Sequence, residues 1–179
     1  FTILTPSKEE KKYDRSLSKV LLKVGLPGAF QYSITAISCI LVQASLNNFG
    51  SDSVAAYSVA NKIENMVTQF YPALGIGIST FAGQNLGAGK LKRVRKGFRV
   101  SVYLNIAYSI FALIICQFFA SPMSKLFIDS NTSSPVVIEE SILYVTTMSL
   151  FFIPLGFIFI FRTGCQGLGS GKIQMLSAI

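Results

Sequence analysis

The sequence predicts an all-α integral membrane protein: a polytopic bundle of four complete transmembrane helices plus the start of a fifth. Three observations predict it. Residues 24–51, 65–89, 100–124 and 141–161 contain no charged side chain, and roughly 20 helical residues at about 1.5 Å rise cross about 30 Å of hydrocarbon. Apolar residues make up 51% of the chain and charged ones 13%, against roughly 25% charged in a soluble domain; mean hydropathy is +0.53. Finally, Lys62 and Lys125 apart, every Lys and Arg falls on alternate ends of those stretches. That is the positive-inside pattern of a chain that starts in the cytoplasm, crosses four times and returns.

Residues 1–19 read as a basic cytoplasmic linker and residues 20–179 as one membrane domain. Lys8, Lys11, Lys12, Arg15, Lys19 and Lys23 precede the first span, either at the headgroup boundary beside anionic lipid or as a solvated linker. Ser16 is expected to cap the first helix. Span one covers 20–47. Pro27, between Gly25 and Gly28, removes a helical hydrogen bond and favours a kink. Gln31, Thr35 and Ser38 share a face, which is expected to meet other helices or a water-filled cavity. The turn at 47–51 carries no basic residue.

Span two covers 53–84. Its outer half is polar, with Tyr57, Asn61, Lys62, Glu64, Asn65, Thr68 and Gln69, and Pro72, Gly75 and Gly77 then loosen it. A Gly-rich exit leads to Lys90, Lys92, Arg93, Arg95, Lys96 and Arg99. Span three, 98–120, is the plainest and is expected to be the most lipid-exposed, with Ser121 and Pro122 ending it. Span four, 137–164, opens on Glu139 and Glu140, holds Pro154 and Gly156 midway and is rich in Phe. The chain begins at Phe1 and stops as a new apolar run opens after Lys172, so a piece of a longer protein is expected.

Several function classes fall away. There is no histidine, and Cys39, Cys116 and Cys165 form no CxxC, so no metal site, catalytic cluster or enzyme activity is expected; the cysteines read as small buried apolar residues. Residues 83–90 (GQNLGAGK) and 166–172 (QGLGSGK) resemble phosphate loops. The required first glycine is Gln84 or Gln166, and the residue after the lysine is Leu91 or Ile173 rather than Ser or Thr. No cofactor is expected. The basic block at 90–99 lies between two spans, which argues for lipid and against nucleic acid as its partner.

Lys62 and Glu64 are the sharper signal. Glu64 lies about 11 residues into span two, roughly 16 Å along the axis, where an unpaired charge is costly and faces a cavity or a partner. Asn61 and Thr68 share its face and Asn65 sits beside it, a cluster suited to an ion, a proton or a cationic ligand. The alternative is a deeper bilayer boundary, with Lys62 snorkelling and Glu64 interfacial.

The runs GLPGAFQYSI (25–34), NNFGSDSVAAYSVANKIENM (47–66), YPALGIGISTFAGQNLGAGKLKRVRKG (71–97) and RTGCQGLGSGK (162–172) resemble the MATE family of multidrug and toxin extrusion transporters, in its second half. The resemblance implies a twelve-helix transporter of two six-helix lobes, in which this chain forms the seventh to tenth helices and the start of the eleventh. It implies an antiporter in the cytoplasmic membrane of a bacterium, exporting organic cations and other amphipathic compounds in exchange for Na+ or H+ by alternating access. Glu64, Asn61, Gln31, Tyr32, Lys62 and Gln69 would line the cavity, and Pro27, Pro72 and Pro154 would serve as hinges. The partners would be membrane lipid, small amphipathic cargo and the remaining lobe. Span one lacks the acidic residue that some bacterial members carry there, which leaves the coupling ion open. Two alternatives stand beside this reading. One is an exporter of lipid-linked sugars from the same superfamily, which should have a more cationic cavity. The other is a fragment with a structural role only.

Overall fold

The computed structural model describes residues 15–127 and 134–169. Expectations for the linker before Arg15, the middle of the outer loop, the end of the second phosphate-loop look-alike and the fifth helix lie outside those residues. The described chain is helical throughout: α1 (Arg15–Leu46), α2 (Ser51–Thr68), α3 (Phe70–Gly87), α4 (Leu91–Phe127), α5 (Pro135–Ser149) and α6 (Phe152–Gly167). A single 3-10 turn, Asn47–Phe49, joins α1 to α2.

Two of the predicted spans are single helices and two are broken. Among the described residues, α1 and α4 are each long and apolar enough to cross a membrane, and α5 with α6, bent by 54° at their break, pass the same length and composition test when taken together as one span. The second predicted span is α2 plus α3. Because α2 packs on α5 and α3 on α6, this pair runs alongside the broken span for its whole length. Both breaks lie just ahead of a proline that becomes the third residue of the next helix, Pro72 in α3 and Pro154 in α6. Proline lacks an N–H and its ring clashes with the carbonyl four residues back, here Thr68, the last residue of α2, and Leu150, the residue after α5. Pro27, by contrast, sits inside an unbroken α1.

Tight turns close the other corners. Gly50 (φ +99°) and Gly89 (φ +70°) take backbone angles that side chains resist, so the chain reverses within a few residues before α2 and before α4. The ends of α3 and α6 and the start of α4 meet at one end of the bundle. There Gly97 lies against Phe81, Gly164 against Phe98, and Gly83 against the Gly167 carbonyl. The basic residues at the start of α4, Lys92 to Arg99, and Arg162 therefore share that end. Asp52 and Glu140 belong to helix starts at the other.

Several expectations change. Span three does not end at Ser121 and Pro122: α4 continues to Phe127 with Pro122 inside it, because Met123 packs on the core and Ser124 is buried, holding the last turns in place. Nor is it the most exposed helix. Ser101, Asn105, Ser109, Ala112, Cys116, Ala120 and Ser124 form a buried seam of small and polar residues, the kind that lets helices approach closely in lipid. Along α1, in contrast, only Gly28 and Gln31 are buried among the described side chains. Ser33, Thr35, Ser38 and Ser45 each donate to the carbonyl four residues back, so α1 needs no cavity to satisfy its hydroxyls. Finally, Ser16 lies within a helix already formed at Arg15, and Cys39 is exposed while Cys116 alone is fully buried.

The seam of α4 also serves both breaks. Tyr108 Oη donates to the Val67 carbonyl at 2.7 Å, just before the α2/α3 break. Asn105 Nδ2 donates to the Ile153 carbonyl at 3.3 Å, just after the α5/α6 break, and Gln117 Nε2 reaches the Thr146 carbonyl at 3.0 Å just before it. In hydrocarbon an unserved carbonyl costs several kcal/mol, so these side chains make the breaks tolerable. Tyr108→Phe keeps the ring stacked 4.0 Å from Phe70 and removes only the O–H. It is expected to lower stability by about 1 kcal/mol, read as a thermal midpoint a few degrees lower for the full-length protein in detergent.

Candidate functional site

The polar face of α2 is built by spacing. Tyr57, Asn61 and Glu64 recur every three or four residues and so share one side of the helix, while Ala56, Ala60 and Ile63 on the neighbouring face are buried in the core. That side is turned towards α5. There Tyr144 Oη donates to Glu64 Oε2 at 3.2 Å, and the Tyr57 and Tyr144 rings meet edge to face with centroids 5.5 Å apart. Glu64 is half-buried. Its carboxylate is held by a neutral phenol, not by a cation.

A cavity of about 790 Å³ opens where α1, α2 and α5 converge. Its walls are mostly apolar: Val42 and Leu46 from α1, Phe49 from the turn, Ala56 from α2, Leu143 and Met148 from α5. Tyr57 and Tyr144 supply aromatic surface, Glu140 supplies a carboxylate, and Ser53 and Thr147 supply hydroxyls. Among the described residues, no basic side chain lines it. Glu64 sits one layer behind, linked to the lining through Tyr144. Aromatic faces and carboxylates around an apolar volume suit a flat organic cation.

The predicted site residues are not brought to one place. Glu64 and Asn61 share the half-buried side of α2, while Lys62 and Gln69 are exposed on it. Asn65 and Thr68 donate to their own helix, to the Asn61 and Glu64 carbonyls, each at 2.8 Å, and do not touch the carboxylate. On α1, Gln31 is 2% exposed whereas its neighbour Tyr32 is 66% exposed. The Gln31 side-chain oxygen is buried without a hydrogen-bond partner among the described residues. Three groups of the cavity, Tyr57, Tyr144 and Glu140, were legible only as a polar patch, an aromatic run and a span entrance. The i, i+4 spacing of Glu140 and Tyr144 is the signal that places both on one stripe of α5. Among the described residues there is no group of three or more His, Cys, Asp or Glu that could hold a metal ion.

Comparison with known proteins gives a consistent set. The MatE family profile matches residues 27–179. A Bacillus subtilis (strain 168) protein named "Probable multidrug resistance protein YoeA" is 30% identical over 138 residues, 77% of this chain and 29% of the relative. A Thermotoga maritima protein named "Probable multidrug resistance protein NorM" is 28% identical over 138 residues, 76% of this chain and 28% of the relative. A Shewanella oneidensis protein named "FAD transporter" is 27% identical over 143 residues, 80% of this chain and 31% of the relative. The chain thus spans about three-tenths of the length of these relatives.

Proposed function

The chain belongs to the MatE family, and from that membership we propose that the whole protein is a secondary active exporter of amphipathic organic cations. Its cargo leaves in exchange for Na+ or H+ by alternating access. The basic end of the bundle is then cytoplasmic, in the cell membrane of a bacterium, and the cavity between α1, α2 and α5 opens towards the exterior. The four spans supply part of one lobe, and the rest of the protein supplies the opposing cavity wall. The relatives named as multidrug resistance proteins support this cargo class.

The observation that carries the reading is the Glu64–Tyr144 pair behind an aromatic, cation-free cavity. A carboxylate at this depth is retained where an ion or cargo neutralises it. An inward-moving ion and an outward-moving cation compete for the same negative charge, and competition of this kind couples their fluxes. Glu64, Asn61, Gln31 and Tyr32 are the residues we assign to the pathway, with Lys62 and Gln69 at its margin. Pro72 and Pro154, each just past a break, are the hinges on which the lobe bends, and Pro27 is a softer point in α1.

A second reading follows from the relative named "FAD transporter": an anionic aromatic cargo, stacked between Tyr57 and Tyr144. The same objection meets it and a lipid-linked sugar exporter, since phosphate cargo needs cations and the cavity lining has none. The test is the full-length protein in proteoliposomes under imposed Na+ or proton gradients. Ethidium moving only when an ion gradient is present is the expected result. FAD moving in its place would favour the second reading, and movement of neither would remove both.

A further inference from the structure

At the basic end, α3 and α4 enclose a second groove of about 460 Å³ that plays no part in the transport reading. Its floor is apolar, with Leu74, Ile78 and Phe81 from α3 and Val100 from α4. Arg93 and Lys96 stand at its mouth. Three residues apart on a helix, they lie on one face, and Gly97 and Val100 continue that face down into the groove. Both cations are exposed. Among the described residues, no acidic side chain lines the groove, and the acidic residues nearest to Arg93 and Lys96 in sequence are Glu64 and Asp129.

We infer that this groove binds one anionic phospholipid of the leaflet at the basic end, its phosphate between Arg93 and Lys96 and an acyl chain along Leu74, Ile78, Phe81 and Val100. Charge and shape both point to that occupant. A guanidinium and an ammonium three residues apart match a phosphate oxygen cluster, and basic pockets between transmembrane helices at the headgroup level select anionic lipid. The trough below is apolar and runs along the helix axes towards the bilayer centre, as an acyl chain does. A soluble anion would leave that floor bare, and a zwitterionic lipid would bring its own cation against the arginine. The groove touches the α3/α4 corner, next to Gly97 and Phe81, so a bound lipid braces the end of the bundle where α3, α4 and α6 meet.

The test uses the full-length protein in nanodiscs of phosphatidylcholine mixed with phosphatidylglycerol, with retained lipid counted by native mass spectrometry as detergent is titrated in. Wild type is expected to hold one phosphatidylglycerol after phosphatidylcholine has been stripped. The Arg93→Gln, Lys96→Gln pair is expected to bind it roughly 25-fold more weakly, about fivefold for each cation removed. The Lys92→Gln, Arg95→Gln pair removes equal charge outside the groove and is expected to leave it in place. All four positions are exposed, so thermal midpoints should match wild type. Equal loss in both pairs would mean general surface charge and overturn the site. Displacement of the lipid by inorganic phosphate would mean an anion pocket with no role for the trough, and equal retention of both lipids would mean no selectivity. Either result overturns it.

Discussion

Gly156→Ala, a single added methyl, is expected to destabilise the protein by about 3 kcal/mol. Gly156 lies in α6 where three helices converge. A Cβ there would overlap the Asn105 side-chain oxygen and stand 2.5 Å from Asn105 Cγ and 2.8 Å from Tyr71 Cδ1. Neither neighbour has room to retreat. Asn105 and Tyr71 are fully buried. Asn105 serves the Ile153 carbonyl, and Tyr71 Oη is hydrogen-bonded to Ser109 Oγ at 3.0 Å. Overpacking of this kind costs roughly 1–3 kcal/mol, and loss of the Asn105 bond beside the α5/α6 break adds roughly 1–2. Gly77→Ala in α3 is the matched control, since nothing lies within 4 Å of its added Cβ. It is expected to be neutral or stabilising by up to about 1 kcal/mol through helix propensity. Thermal midpoints of the two full-length variants in detergent decide the matter. If both melt together with wild type, the close approach of α4, α3 and α6 at Gly156 is wrong.

Glu64→Gln should act on the opposite axis, sparing the fold and removing the coupling. The amide is the same size and its oxygen still accepts the Tyr144 hydroxyl, so the α2–α5 contact survives. What goes is the charge for which ion and cargo compete. We expect ion-driven efflux by the full-length protein to fall roughly 10- to 100-fold, the span of one coupling free energy, with a thermal midpoint unchanged from wild type. Tyr144→Phe keeps the ring edge against Tyr57 and deletes the donor, freeing the carboxylate. It is expected to shift the ion concentration that half-saturates efflux, not to abolish transport. Unchanged efflux with unchanged ion dependence in Glu64→Gln would take this carboxylate out of the mechanism.

The order of the apolar stretches and their helical character were legible because bilayer thickness imposes a length and the cost of buried charge imposes a composition. Both leave marks on the chain itself, in its uncharged stretches and in the alternation of its basic blocks. Glu64 was legible as an acidic residue inside the second predicted span. Its partner was not, because Tyr144 is 80 residues away in sequence and reads by itself as one aromatic among many in span four. The seam of α4 was misread for a related reason. Ser101, Asn105, Ser109 and Gln117 are few and scattered in a list, and only a partner on each side makes them a continuous contact.

The prolines separate the two kinds of information most clearly. Sequence by itself determined a helical membrane chain with most of its basic residues gathered at one end, a carboxylate within its second predicted span, and three prolines that each remove a backbone hydrogen bond. Only the tertiary structure decided which of them break their helix. Tyr108 stands beside the break before Pro72, and Asn105 and Gln117 flank the one before Pro154, so α4 sends side-chain donors to backbone carbonyls next to each break. Pro27 lies in α1, which packs chiefly on α2 and the turn after it, and its helix stays whole. The physical reason is that a carbonyl in hydrocarbon must be satisfied from somewhere, and where that donor comes from is a property of neighbours in space, not of neighbours along the chain.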